Sequence, residues 1–276
     1  MKYPIQRKYS SFKAKRKNIK SQRPPVNKRI AVPSFFTLMN LLSGFLSIIS
    51  VAKGDFVLGA QLIVLAGLFD VLDGLMARLA NATSDFGIEL DSLSDMVSFG
   101  VAPGFLIYQF SLHELNMLGV LISALPPLCG AIRLARFNVN ARLAPTKDIF
   151  IGLPVPAQAI ILAAFYLTFR NEVDLFSGFE HGINAVLMPV VITISLLMVS
   201  TIPFDKIPRF DRQSLKQEKG KFILFFAYLL LILFFKEHGL MVVITIFILK
   251  ALITGAIHFF KDDYDPGTED VFQDYS

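Results

Sequence analysis

Long apolar runs broken by short polar links dominate this chain, at about 34–52, 56–79, 87–110, 115–135, 153–170, 184–202, 221–236 and 239–260. Most of them reach the ~20 residues with which an α-helix crosses a bilayer. Only helices or closed barrels satisfy their backbone groups in hydrocarbon, and runs of this length exclude barrel strands. The pattern predicts an all-α, polytopic membrane helix bundle of about eight transmembrane helices.

The charges between the runs orient them. With the first segment inside, the inner links and helix ends hold Arg78, Arg133, Arg136, Arg142, Lys147, Lys206, Arg209, Arg212, Lys216, Lys219, Lys221 and Lys261. The outer links hold only Lys53, Arg170 and Lys236, beside Asp55, Glu114, Glu172, Asp174, Glu180 and Glu237. Basic residues concentrate on the cytoplasmic side of membrane proteins, so both termini are expected in the cytoplasm. Residues 1–30 carry Lys and Arg from Lys2 to Arg29 and no acid, and are expected to be a disordered cytoplasmic tail, either a topology determinant or an electrostatic tether to anionic lipid head groups. The 204–220 segment then becomes a cytoplasmic loop, 221–260 two further spans, and 261–276 an acidic cytoplasmic tail.

Composition agrees: 54% of residues are hydrophobic, Phe is abundant and Trp absent. In such a chain a net charge of +5 speaks for orientation and membrane-lipid contact rather than for nucleic acid. Cys129 stands alone and excludes an intramolecular disulfide, and His113, His181, His238 and His258 lack metal-ligand spacing. Gly44, Gly59 and Gly67 read as close-packing positions, and Lys250, midway along the last run, as a structural charge.

The stretch DVLDGLMARLANATSDFGIELDSLSD (70–95) is different. It puts Asp70, Asp73, Asp91 and Asp95 on two apolar segments. Asp70, Asp73, Gly74 and Ala77 project from one side of a helix, and Gly87, Asp91 and Asp95 form a stripe on the next. The link between them is short enough to make the two helices antiparallel neighbours. Carboxylates gathered near lipid repel one another and carry a large desolvation cost, so a cation must sit among them. Oxygen-only ligands favour a hard divalent ion, Mg²⁺ or Mn²⁺, over zinc. Gly74 and Ala77 leave room for a flat ligand, and Arg78 offers a fork for phosphate. Arg133 and Arg136, three apart at the inner end of the fourth run, can face one partner. Arg142 reads as a topology anchor. Thr37 and Asn40 share one side of the first run, either as nucleotide contacts or as interhelical hydrogen-bonding groups.

The spacing D-x2-D-G-x2-A-R-x8-G-x3-D-x3-D, filled by Asp70, Asp73, Gly74, Ala77, Arg78, Gly87, Asp91 and Asp95, resembles the CDP-alcohol phosphotransferase family. VPSFFTLMNLLSGFLSI (32–48), SDFGIELDSLSDMVSFGVAP (84–103), RLARFNV (133–139) and FIGLPVPA (150–157) look like its bacterial and archaeal serine-using branch. The resemblance covers about 30–203. It implies a six-helix catalytic core over 31–203, followed by the two C-terminal spans.

The resemblance also implies a reaction. L-serine would attack the lipid-side phosphorus of CDP-diacylglycerol, giving phosphatidylserine and CMP. Two divalent ions would lie between Asp70, Asp73, Asp91 and Asp95, with Asp95 also the general base. Asp73, Gly74, Ala77, Arg78 and Gly87 would hold the nucleotide and lipid diphosphate, with Thr37 and Asn40 as further nucleotide contacts. Arg133 and Arg136 would hold phosphate or the serine carboxylate, and the chain would form a homodimer. The rival acceptors are glycerol phosphate and inositol phosphate. A membrane prenyltransferase is disfavoured because its two acidic motifs lie far apart in sequence. A cation transporter is disfavoured because the acids cluster toward one membrane face and no inverted repeat is visible.

Overall fold

The computed structural model describes residues 31–80, 84–143 and 152–202, with isolated helical positions between 242 and 253. Its elements are α1 (Ala31–Ala52), α2 (Phe56–Leu79), α3 (Asp85–Asp95), a π-helical turn (Met96–Val101), α4 (Ala102–Phe110), α5 (Met117–Ser123), α6 (Leu125–Leu143), α7 (Val155–Phe169) and α8 (Asn184–Val199). Short 3₁₀ turns lie at Leu112–Leu115 and Val173–Phe176, and no strand occurs among the described residues. Among the described residues, four helical stretches are long and apolar enough to cross a membrane: Val32–Ala52, Phe56–Leu79, Asp85–Phe110 and Met117–Asn140. α7 and α8 are apolar but shorter, at 15 and 16 residues. This is an integral membrane protein. The two runs expected at 221–236 and 239–260, the terminal tails, the 204–220 loop and Lys250 lie outside the described residues, apart from the isolated positions noted.

The helix boundaries differ from the hydropathy pattern where capping and proline chemistry intervene. The third span starts at Asp85 rather than 87, because the Ser84 hydroxyl caps it by accepting the Gly87 backbone N–H at 3.1 Å. The π turn ends two residues before Pro103 and contains Phe99, the residue four back from that proline. A proline ring would collide with the carbonyl four residues back in an ordinary α-helix, and the wider turn relieves that clash. The fourth run divides at Ala124. Pro126 and Pro127 fall in the first turn of α6, where no intrahelical N–H is needed, and α6 then continues to Leu143, past the expected end at 135.

The bundle is partly inside-out. α1 buries Thr37, Asn40, Ser43, Ser47 and Ser50 while exposing Phe35, Leu38, Leu42 and Phe45, as suits a helix whose outer face meets lipid. α7 is the central post: Ala159, Leu162, Ala163 and Ala164 are fully buried there, packed with Phe99, Leu106 and Leu187. Among the glycines read as packing positions, Gly44 and Gly59 allow the closest approaches. A Cβ at Gly44 would strike the Ser98 side chain, and one at Gly59 would meet the Val51 side chain at 2.5 Å. Ser47 Oγ donates to the Gly59 carbonyl at 2.8 Å, tying α1 to α2.

One join closes the end of the bundle where α6 and α8 finish. Gly152 adopts φ +78°, and its N–H donates to the Ile202 carbonyl at 2.9 Å, while Leu153 N–H donates to the Leu197 carbonyl at 2.9 Å. A Cβ at Gly152 would lie 2.5 Å from the Met198 carbonyl oxygen. Gly152→Ala therefore combines left-handed strain with overlap and is expected to destabilise the protein by about 2–4 kcal/mol. A clear fall in melting temperature in detergent is the expected result; an unchanged one contradicts this account of the join.

Candidate active site

Two helices carry the acids and a third fixes them. Asp70 and Asp73 sit on α2, and Asp91 and Asp95 on α3, and both helices pack against α1. Asn40, Asp70, Asp95 and Arg133 each lie about 14–15 Å from the same end of the bundle, at 1.5 Å per residue from the helix ends. Four helices thus deliver their polar groups to one depth inside the apolar slab.

Carboxylate oxygens of Asp70, Asp91 and Asp95 all lie within 4.8 Å of one another. Three carboxylates at that separation, two of them half-buried and Asp95 only 7% exposed, form a donor set suited to a hard divalent cation. The fit shows in their missing partners: Asp91 Oδ1 is buried and makes no hydrogen bond. The Asp73 carboxylate is 6% exposed, and its Oδ2 is likewise unpartnered. Asp73 is outside the closest trio and points instead into the adjoining cleft.

That cleft is lined by Pro33, Ser34 and Thr37 of α1, Asp73, Gly74 and Ala77 of α2, and Ser84, Gly87, Ile88 and Asp91 at and after the start of α3. Its lining includes exposed Ile88, an apolar side chain among polar and small residues. Small residues at 74, 77 and 87 keep its walls back. Arg78 is exposed, with its Nη1 placed 3.6 Å from where a Cβ on Gly74 would be. Its fork therefore borders the cleft at Gly74.

The first helix reaches the acid cluster through Asn40. Asn40 Nδ2 donates to Asp95 Oδ1 at 3.1 Å in a fully buried contact, so it is an interhelical partner of the acid cluster. Thr37 lines the cleft while its hydroxyl donates to the Pro33 carbonyl at 3.1 Å. Two serines that the sequence reading did not single out join the same seam. Ser94 Oγ donates to the Thr37 carbonyl at 3.0 Å, and Ser98 Oγ to the Asn40 carbonyl at 2.9 Å. Their available signal was spacing: with Asp91 and Asp95 they form a polar stripe on an apolar segment. Ser84 could have been found as a helix cap three residues before Gly87.

The two arginines part company. Arg133 is 7% exposed, within electrostatic reach of Asp95, and its Nε is buried without a hydrogen-bond partner. Arg136 turns the other way: Nη1 donates to the Val199 carbonyl at 2.9 Å and Nη2 to the Ser200 carbonyl at 3.3 Å. It caps the end of α8, where the last carbonyls have no intrahelical donors. α6 also reaches α3 through Asn138, whose Nδ2 donates to Ser92 Oγ at 3.0 Å.

Comparison with known proteins agrees with this geometry. Residues 30–199 match the family model for CDP-alcohol phosphatidyltransferase, the span that holds every side chain described above. The chain is 33% identical over 229 residues to the CDP-diacylglycerol–serine O-phosphatidyltransferase of Helicobacter pylori, covering 83% of this chain and 92% of that one. It is 34% identical over 186 residues to the Bacillus subtilis protein of the same name, covering 67% and 96% respectively. The archaetidylserine synthase of Methanothermobacter thermautotrophicus is 38% identical over 180 residues, covering 64% of this chain and 71% of that one. With the acid cluster, the cleft and the matched span coinciding, this chain belongs to the CDP-alcohol phosphatidyltransferase family.

Proposed function

We propose that the chain transfers the phosphatidyl group of CDP-diacylglycerol to the hydroxyl of L-serine, giving phosphatidylserine and CMP. The observation that carries the reading is the convergence of Asp70, Asp91 and Asp95 beside a cleft lined by Asp73, Gly74 and Ala77. The names of all three relatives described above contain serine, which favours it over glycerol phosphate or inositol phosphate as acceptor.

The chain's own residues then have distinct tasks. Gly74, Ala77 and Gly87 border the cytidine, with Thr37 as a further nucleotide contact, while Arg78 holds phosphate at the rim. Arg133, with its unpartnered Nε, takes the serine carboxylate. We assign Arg136 to holding α6 against α8 rather than to substrate. Asp95 takes the serine hydroxyl proton as that oxygen bonds to the lipid-side phosphorus. The bond from that phosphorus to the bridging oxygen breaks, and CMP leaves with its electron pair. An alcohol is a weak nucleophile near neutral pH, so a carboxylate placed to remove its proton matters. Asp70, Asp73, Asp91 and Asp95 would hold two divalent ions, Mg²⁺ or Mn²⁺, which when bound supply charge neutralisation to the diphosphate and the leaving CMP.

The charge asymmetry of the links supports a protein of eight spans in the cytoplasmic membrane with both termini in the cytoplasm. The cleft then opens to the cytoplasm, where serine is dissolved, and its apolar rim meets the lipid substrate from the side. We extend the reading to a homodimer, as the family resemblance implies.

Asp95→Asn is expected to reduce turnover below a few per cent of the parent while CDP-diacylglycerol binding changes by less than about threefold. Turnover above that level removes Asp95 as the base. For Arg133→Ala, the loss of a charge-assisted contact to serine is expected to raise the serine KM by at least about tenfold, with the CDP-diacylglycerol KM held. Serine kinetics unchanged in that variant would remove Arg133 from the acceptor site.

A further inference from the structure

One buried polar contact in the site is left unused by the reaction scheme. Asn40 is 0% exposed and Asp95 is 7% exposed, and the amide donates to one carboxylate oxygen, Oδ1, at 3.1 Å. The direction of this bond is chemically fixed, because an ionised carboxylate only accepts and the amide nitrogen is the donor that faces it. A carboxylate gripped through one oxygen keeps a single orientation about its terminal torsion. One oxygen of that carboxylate lies within 4.8 Å of carboxylate oxygens of Asp70 and Asp91, the other members of the trio, so fixing the carboxylate fixes the trio's geometry.

The grip is built into the helix seam. Ser98, one turn beyond Asp95, donates to the Asn40 backbone carbonyl at 2.9 Å. Asn40 is thereby held from both ends, its side chain on Asp95 and its carbonyl under Ser98. Gly44, one turn beyond Asn40, is where a Cβ would strike Ser98. Its missing side chain is the condition for the two helices to approach this closely. Ser94 adds a third tie on the other side of Asp95, to the Thr37 carbonyl at 3.0 Å. The π turn begins at Met96, so the backbone geometry changes directly after Asp95, and the seam holds α3 to α1 across that change.

We infer that Asn40 is a positioning residue for Asp95, holding its carboxylate through the Asn40–Asp95 hydrogen bond, with Gly44 and Ser98 setting the helix separation that makes this bond possible. The inference rests on the reading of Asp95 as part of the reaction centre and adds the residue that orients it. Asn40 itself forms no bond with the transferred group. Its loss affects the rate of the chemical step rather than capture of the CDP-lipid.

The test is a double-mutant cycle with Asn40→Leu, Asp95→Asn and the double variant in purified full-length protein. Leucine keeps the branched shape of asparagine, is somewhat larger, and cannot donate. Three quantities are followed: kcat, the CDP-diacylglycerol KM, and the affinity for Mn²⁺ by electron paramagnetic resonance. Asn40→Leu is expected to lower kcat at least thirtyfold with the KM changed by less than threefold, and to weaken Mn²⁺ binding several-fold. In the Asp95→Asn background the same change is expected to have little further effect on Mn²⁺ affinity, since contacting residues are non-additive. A kcat within twofold of the parent in Asn40→Leu, or additive losses of Mn²⁺ affinity, overturns the inference. Retained turnover in Asp95→Asn counts against Asp95 as the base, and the manganese cycle still decides the role of Asn40. Should Asn40→Leu not fold, Asn40→Ala enters the same cycle with the same expectations.

Discussion

Like charges held together in a low-dielectric slab constrain this molecule more than any other feature. Asp70, Asp91 and Asp95 bring oxygens within 4.8 Å of one another on apolar helices. Such a cluster repels itself unless cations or donors compensate it. The surrounding structure supplies the donors and leaves a place for cations. Asn40 meets Asp95, Arg133 lies within electrostatic reach, and unpartnered oxygens remain on Asp73 and Asp91. The hydroxyl-rich inner face of α1 and the close approach at Gly44 follow from the same need. An apolar α1 face could pack against α3, but it could not hold a buried carboxylate.

The fold separates rigid support from access. α7 is buried along most of its length and forms a central post, while α1, α2 and α3 stand around the cleft with lipid-facing outer surfaces. At the end of the bundle, Arg136, Gly152 and Leu153 satisfy the carbonyls where α8 finishes. That join holds α6 in place, and α6 carries Arg133 into the site. A membrane protein gains little from apolar burial between helices that could equally face lipid, so these polar ties and close contacts carry much of the specificity.

Much of this was legible from residues alone. The four aspartates stood out because carboxylates are costly in apolar runs, and their three- and four-residue steps placed them on facing stripes. Gly74, Ala77 and Gly87 did line the cleft, as small residues beside acids suggested. Less was legible where one residue type serves two purposes. Arg133 and Arg136 share a helix and a spacing, yet one reaches the acids and the other caps α8, a difference set by where α8 ends rather than by local sequence. The Asn40–Asp95 bond depends on the register of α3 against α1, which local sequence does not set. Ser94 and Ser98 passed unnoticed because serines are ordinary in membrane helices, and the π turn depends on how a long span accommodates Pro103.

The account stands most directly on acceptor-dependent chemistry at the acid cluster. The decisive measurement is CMP release by the purified protein from CDP-diacylglycerol in Mg²⁺ or Mn²⁺, with and without L-serine. Release that requires serine and stops with EDTA is the result the account predicts. Release that proceeds only with glycerol phosphate or inositol phosphate would contradict the assigned acceptor, and no release with any of these alcohols would contradict the reaction itself.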